Sequence, residues 1–111
     1  MTMNREYRAS EPAREAVAEM PGPVLIEFGT SWCGFCQRAQ PLIEAALSDH
    51  PSVEYLKIED GPGKPLGRSF GIKLWPTLVM LLDGHEVARV VRPNEVRAIR
   101  EALKRGSREA V

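Results

Sequence analysis

The two cysteines of the chain stand three positions apart, in the segment Trp32-Cys33-Gly34-Phe35-Cys36. The apolar run Val24-Leu25-Ile26-Glu27-Phe28 before them is typical of a buried strand, and the stretch after them has helical periodicity. The first thiol is thus predicted at a helix start, where unpaired backbone N–H groups and the helix dipole stabilise a thiolate. The second thiol lies within one turn and can resolve a mixed disulfide formed by the first. This spacing favours dithiol–disulfide chemistry.

Two other uses of the cysteines fit the sequence less well. Buried structural cysteines have no reason to lie three apart behind a tryptophan at a helix start. A zinc site usually needs four ligands, and His50 and His85 stand alone rather than in a paired ligand motif. We therefore predict no metal site.

The size and charge of the chain restrict its class and its partners. Its 111 residues suit one domain, residues 1–111, with a core at about 13–105 and flexible ends. Fifteen basic and fifteen acidic residues give a formal charge of zero, which offers no electrostatic reason to bind nucleic acid or an anionic membrane. The first twenty residues lack the apolar stretch of a signal peptide, and no run approaches membrane-spanning length. We expect a cytoplasmic protein whose partners are proteins or small thiols.

Hydrophobic periodicity and turn residues predict alternating helices and strands. In chain order we expect a helix that Ser10 caps and Pro21 ends, a strand at Val24–Phe28, a helix from Cys36 that contains Pro41, a strand at Val53–Glu59, a short helix ending near Phe70, a strand at Thr77–Leu82, a strand at Glu86–Val91 and a helix from Pro93 to Gly106. Between the last two strands, Asp83-Gly84 supplies the positive φ angles of a two-residue hairpin turn. This order predicts a mixed sheet with helices on both faces.

The ordered set of motifs resembles the thioredoxin family. The motifs are the Trp-Cys-Gly-Phe-Cys segment after its strand, Pro41 five residues past the second cysteine, Trp75-Pro76-Thr77 before an apolar strand, and Asp83-Gly84. The resemblance covers about 13–105. It implies the thioredoxin fold, an α/β fold whose central mixed sheet of four to five strands is flanked by helices on both faces. It also implies a protein-disulfide reductase that works through a mixed disulfide, with no bound cofactor besides its redox-active Cys33–Cys36 disulfide.

The resemblance also assigns roles to the residues around the dithiol. Cys33 would be the attacking nucleophile and Cys36 the more buried resolving thiol. Glu27 stands where thioredoxins usually carry an aspartate beneath the dithiol, and it would accept the proton of Cys36, directly or through a water. An ordinary glutamate on a half-exposed strand face is the alternative.

Pro76 resembles the cis-proline of the family, whose peptide bond faces the dithiol and leaves the preceding backbone free to pair with an extended substrate. Sequence alone does not fix the isomer, because only about one X–Pro bond in twenty is cis in folded proteins. With Pro76, we expect a substrate-binding surface formed by Trp32, Gly34, Phe35 and Trp75. A core position is the alternative for Trp75.

Several positions depart from the family pattern. Phe35 stands where thioredoxins have proline, and we expect a reduction potential above the family standard of about −270 mV. Trp75 replaces a smaller aliphatic residue, Gly29 replaces a common aromatic, and Tyr55 replaces a lysine near the buried acid. Arg92-Pro93 replaces a glycine-containing loop that helps grip substrates and the reductase. The sequence therefore does not decide whether the electron donor is a thioredoxin reductase or a glutathione-type donor.

Two alternatives to a disulfide reductase remain. A more oxidising potential would make the protein a disulfide oxidase or isomerase. From a different class, a redox-inactive interaction module would use Trp32, Phe35 and Trp75 to bind a partner, although retention of both cysteines argues against it. We expect a monomer, because a small redox shuttle must keep this apolar face open.

Overall fold

The computed structural model describes residues 6–8 and 10–106. In this part of the chain, four helices and four strands follow in the predicted order: α1 (Arg14–Ala18), β1 (Pro23–Gly29), α2 (Gly34–Ser48), β2 (Glu54–Glu59), α3 (Pro65–Ser69), β3 (Thr77–Leu82), β4 (His85–Val91) and α4 (Val96–Arg105). The predicted flexibility of the chain ends concerns mainly residues 1–5 and 107–111, which lie outside the described residues.

The strands form one mixed sheet in the order β2-β1-β3-β4. The central strand β1 runs parallel to β2 and antiparallel to β3, and β4 is antiparallel to β3. Beyond β2, Arg8 adds a single parallel bridge to Ile58. Its backbone N–H donates to the Lys57 carbonyl at 2.8 Å, and its carbonyl accepts from the Glu59 N–H at 3.1 Å. The sheet thus has four strands, extended at one edge by a short N-terminal segment.

Each face of the sheet is covered by two helices. Alternate residues of the strands pack with α1 and α3 on one face: Val17, Val24, Ile26, Phe28, Leu56, Ile58, Leu66, Phe70, Val79 and Leu81. The other set packs with α2 and α4: Leu25, Ala39, Ile43, Ala46, Leu78, Met80, Ile99 and Leu103. Because β1 is covered on both sides, it is nearly continuous in apolar residues. Its one charged residue, Glu27, is on the α2 face.

Three helix starts differ from the prediction. Helix α1 begins at Arg14 without a side-chain cap bond, so the prediction that Ser10 caps it is wrong. The chain before α1 is instead tied to α3, since Glu11 Oε1 accepts from the Leu66 N–H at 3.0 Å. Helix α2 begins two residues early because Cys33 is its N-cap.

The third difference is at α4, which begins at Val96 rather than at Pro93. Arg92 has a φ of 48°, in the left-handed region. The backbone therefore turns away from β4 at this point, and three more residues pass before it becomes helical. The predicted end at Gly106 is confirmed as the C-cap.

The hairpin between β3 and β4 is confirmed. Asp83 and Gly84 have φ angles of 51° and 82°, as a two-residue turn of this kind requires. A Cβ atom at Gly84 would lie 1.9 Å from the Ala18 carbonyl oxygen. This position therefore requires glycine both for its backbone conformation and for the close approach of α1.

Candidate active site

Cys33 lies at the N-terminus of α2, where the sequence predicts the reactive thiol. As the N-cap, it has an extended backbone (φ −83°, ψ 119°), and its Sγ accepts a hydrogen bond from the Cys36 N–H at 3.2 Å. Both thiols are free. The exposed fraction is 8% for Cys33 and 1% for Cys36, so Cys33 is the thiol that a partner reaches first.

Cys36 is held in its protonated form by its surroundings. Burial, and then the contact with Cys33, raise the pKa of the Cys36 thiol to about 12. Hydrogen bonds with the Thr30 backbone and with the Tyr7 hydroxyl act in the opposite direction. At neutral pH this thiol therefore needs a base before it can attack.

Glu27 lies beneath the dithiol on β1 and is fully buried, which excludes the half-exposed strand position. Three side chains donate to its carboxylate. The Tyr7 hydroxyl donates to Oε2 and the Tyr55 hydroxyl to Oε1, and Gln40 Nε2 donates to Oε2 at 3.0 Å. Burial and the nearby carboxylate raise the pKa of both tyrosines above its ordinary value, so both hydroxyls keep their protons.

Gln40 links this carboxylate to the helix and to a buried lysine. Its Nε2 also donates to the Cys36 carbonyl at 2.8 Å, and its Oε1 accepts from Lys57 Nζ at 2.6 Å. Lys57 is 3% exposed and lies opposite Glu27 in the parallel register of β1 and β2. A polar network thus extends from the N-terminal turns of α2 to β2 below the dithiol.

No motif in the sequence marks Tyr7, Gln40 or Lys57 as part of the site. Gln40 lies one helical turn past Cys36, so the helical period of 3.6 places both on one face of the helix. Lys57 lies on the same strand face as Tyr55, as the strand period of 2 indicates. No local sequence pattern predicts that Tyr7 lies in the site, because a backbone bridge outside the main sheet brings it there.

The cis-proline expectation is confirmed, since the Trp75–Pro76 peptide bond is cis. The Trp75 carbonyl faces the dithiol at 3.9 Å from Cys33 Sγ. Trp75 is half-buried rather than in the core. Its ring packs edge-on against Trp32, with centroids 5.5 Å apart, and its Nε1 donates to Asp60 Oδ2 at 2.8 Å.

Exposed aromatic rings surround the dithiol. Trp32 is 73% exposed and Phe35 is 47% exposed; together with Trp75 they form what we call the aromatic surface. Gly34, at the first turn of α2, is also exposed. The structure therefore brings the predicted substrate-binding residues together around Cys33.

Two arginines contact this surface. The Arg92 guanidinium lies 4.0 Å from the centroid of the Phe35 ring, and that of Arg38 lies 4.8 Å from it. Arg92 Nε also donates to the Trp75 carbonyl at 2.9 Å. The loop that departs from the family pattern thus places a cation between Phe35 and the backbone beside the cis-proline.

An open cleft of about 410 Å³ borders Cys36, and its lining includes neither Cys33 nor a residue of the aromatic surface. Tyr7, Thr30, Cys36, Gln40 and Lys57 are among the residues that line it. Cys36 and its polar neighbours are therefore close to solvent on a side that the aromatic surface does not occupy.

Within residues 6–8 and 10–106, no three His, Cys, Asp or Glu side chains are grouped so that they could hold a metal ion. No helix in the same ranges is long and apolar enough to cross a membrane.

Comparisons with known proteins agree with this geometry. A family model described as thioredoxin matches residues 7–105. The chain belongs to the thioredoxin family. The solved structure of reduced thioredoxin 2 from Pseudomonas aeruginosa PAO1 is 56% identical, with a TM-score of 0.83, over 92% of this chain and 94% of that one.

Curated relatives give the same assignment. The thioredoxin of Chlamydia muridarum is 37% identical over 63% of this chain and 69% of its own length. Thioredoxin-1 of Saccharomyces cerevisiae is 30% identical over 72% of this chain and 77% of its own. The mixed sheet with helices on both faces is the thioredoxin fold, and the protein is a thiol–disulfide oxidoreductase with a Cys-x-x-Cys pair. The redox-inactive interaction module is not favoured.

Proposed function

We propose that the protein reduces disulfides of other proteins through a Cys33–substrate mixed disulfide. The supporting observation is the position of Cys33, whose Sγ accepts from the Cys36 N–H at a helix start and which is more accessible than Cys36. Cys33 attacks one sulfur of the substrate disulfide, so the substrate S–S bond breaks and the first substrate thiolate leaves. Cys36, after losing its proton, then attacks Cys33, so the Cys33–substrate bond breaks and the second substrate thiolate leaves.

Glu27 is the proton acceptor for Cys36 in this proposal. Its burial beside the dithiol and the three donors on its carboxylate support this role, because they fix the side chain in one position below Cys36. The dithiol itself is the redox group, so the reaction needs no bound cofactor.

The aromatic surface, with Gly34 and Pro76, is proposed to hold the substrate. Trp32 and Phe35 present apolar area that an unfolded or extended segment can cover. An extended substrate that pairs with the backbone of Trp75 would lie beside the Arg92 guanidinium, whose Nε donates to the Trp75 carbonyl.

The cellular setting is part of the same proposal. The protein would act in the cytoplasm as a monomeric single domain and would take part in electron transport and redox homeostasis. The dithiol supports the role of a redox shuttle, and the formal charge of zero offers no electrostatic attraction to nucleic acid or an anionic membrane. Its partners would be disulfide-containing proteins and an electron donor, which is either a thioredoxin reductase or a glutathione-type donor. It would bind neither nucleic acid nor membranes.

Trapping of the mixed disulfide tests this function. In Cys36→Ser, attack by Cys33 continues but resolution does not, so a stable adduct with a disulfide-bonded protein such as insulin should accumulate on non-reducing gels. The matched variant Cys33→Ser should form no adduct and reduce no insulin. Adduct formation in Cys33→Ser, or none in Cys36→Ser, would contradict the assignment of Cys33 as the nucleophile.

A further inference from the structure

The proton of Cys36 must travel to Glu27 before resolution, and one side chain touches both groups. The Tyr7 hydroxyl donates to Glu27 Oε2, and the same hydroxyl lies next to the Cys36 thiol and interacts with it electrostatically. A hydroxyl has one proton to donate and two lone pairs that accept. Because its proton points to Glu27, its lone pairs can receive the proton of Cys36.

Gly29 makes this contact possible. A Cβ atom at Gly29 would lie 2.6 Å from Cys36 Sγ and 2.8 Å from the Tyr7 hydroxyl oxygen. Real Cβ atoms essentially never make such contacts, so a side chain here would push the two groups away from this point. Thioredoxins commonly carry an aromatic residue at this position. Here the residue is glycine, and the Tyr7 hydroxyl lies in the space that a side chain would fill.

The N-terminal segment fixes Tyr7 in place. The adjacent Arg8 forms two backbone hydrogen bonds with β2, and Lys57 Nζ lies 4.5 Å from the centroid of the Tyr7 ring. Tyr7 also lines the cleft beside Cys36. Its position is thus determined by the backbone, by a cation on its ring and by the acceptor that its hydroxyl reaches.

We propose that Tyr7 is a catalytic residue that relays the proton from Cys36 to Glu27. The relay rests on the proposed function. As the Cys36 S–H bond breaks, its proton moves to the Tyr7 oxygen while the proton of Tyr7 moves to the Glu27 carboxylate. The Cys36 thiolate then attacks Cys33 Sγ, the Cys33–substrate bond breaks, and its electron pair leaves with the substrate thiolate. Tyr7 is unchanged in net protonation, and the carboxyl of Glu27 holds the proton.

Tyr7→Phe tests the relay, with Tyr55→Phe as the matched control. Each variant removes one hydroxyl donor from Glu27, but only Tyr7 also contacts Cys36. Stopped-flow single turnovers with a disulfide peptide separate formation of the mixed disulfide from its decay. We expect formation to proceed in both variants and decay to slow at least about tenfold in Tyr7→Phe, with a much smaller change in Tyr55→Phe.

The pH profile distinguishes a relay from a structural role. Without Tyr7, solvent must deprotonate Cys36, so decay in Tyr7→Phe should rise about tenfold per pH unit between pH 7 and 9. The wild-type protein and Tyr55→Phe should show a flatter profile. The relay would be overturned if the mixed disulfide of Tyr7→Phe decayed at the wild-type rate, or if decay slowed equally in Tyr7→Phe and Tyr55→Phe.

Gly29→Ala provides a second test if Tyr7→Phe does not fold. Its added methyl should separate Tyr7 from Cys36 and slow decay with the same steep pH dependence, and decay at the wild-type rate would again overturn the relay. Failure of the proposed function has a different signature, because the wild-type protein would then form no mixed disulfide at all.

Discussion

At the scale of single residues, the site combines the more accessible thiol of Cys33 with a second thiol, that of Cys36, which is kept protonated. Cys33 and Cys36 are three residues apart, yet their surroundings differ. Cys33 Sγ accepts a hydrogen bond from a backbone N–H at the helix N-terminus, whereas burial raises the pKa of the Cys36 thiol to about 12. The two roles in the proposed mechanism follow from these two environments. In the proposed mechanism, the second step depends on a base on the buried side, and the carboxylate there is that of Glu27.

Glu27→Gln should slow resolution by roughly 10²-fold and leave the attack of Cys33 in place, because an amide cannot take up the proton of Cys36. Since the pKa of Cys36 lies far above neutral, decay of the mixed disulfide should then rise about tenfold per pH unit from pH 7 to 9. Single turnovers across this pH range measure both effects. Glu27→Asp keeps a carboxylate and should recover part of the rate; decay at the wild-type rate in Glu27→Gln would refute the role of this base.

At the scale of helices and strands, patterns with a local cause were predictable and positions fixed by distant contacts were not. The apolar run of β1, the hairpin at Asp83-Gly84 and the stop at Gly106 follow from period and turn chemistry. The starts of α1 and α4 do not, because one depends on a bond between Glu11 and α3 and the other on the left-handed backbone of Arg92. Local propensity does not include such contacts.

The turn between β3 and β4 gives a prediction about stability. Gly84→Ala should lower the free energy of unfolding by more than about 2 kcal/mol, since the left-handed conformation alone costs roughly 1–2 kcal/mol and the new Cβ also meets the Ala18 carbonyl oxygen. Gly63→Ala is the matched control, because its φ of 78° is similar and no atom lies within 4 Å of the added Cβ. Urea unfolding measures both; equal losses would show that the contact with α1 contributes nothing.

At the scale of the whole molecule, the fold and the two cysteines were predictable because one ordered set of motifs specifies them. The sheet with its two cores, the cis-proline and the exposed Trp32 all agree with the family pattern. The network around Glu27 was only partly predictable. Tyr7 is twenty residues from Glu27 and reaches it through a single bridge to β2, and no period or spacing in the sequence encodes that contact.

The reduction potential of the dithiol is also a property of the whole molecule, since it is set by the difference in free energy between the reduced and oxidised protein. Two guanidinium groups, those of Arg38 and Arg92, lie against Phe35 beside the dithiol. The disulfide of the oxidised form is neutral, so positive charge there can stabilise negative charge only on the reduced form. We therefore expect a potential above the value of about −270 mV typical of thioredoxin, measured by equilibration in glutathione buffers and thiol alkylation.

Arg92→Gly removes one of these charges together with its contacts to Phe35 and the Trp75 carbonyl, and glycine accepts the left-handed backbone at this position. It should lower the potential by roughly 5–20 mV, since an exposed charge contributes about 0.2–1 kcal/mol and 30 mV corresponds to about 1.4 kcal/mol. Arg97→Ala, which removes an exposed arginine paired with Glu101 on α4, should leave it unchanged. The difference between the unfolding free energies of the oxidised and reduced forms must shift by the free energy that corresponds to this change in potential, because the four states form a closed cycle. A wild-type potential at or below −270 mV would contradict the charge argument, and one near about −120 mV, the value of a strong oxidant, would make the protein an oxidase instead of a reductase.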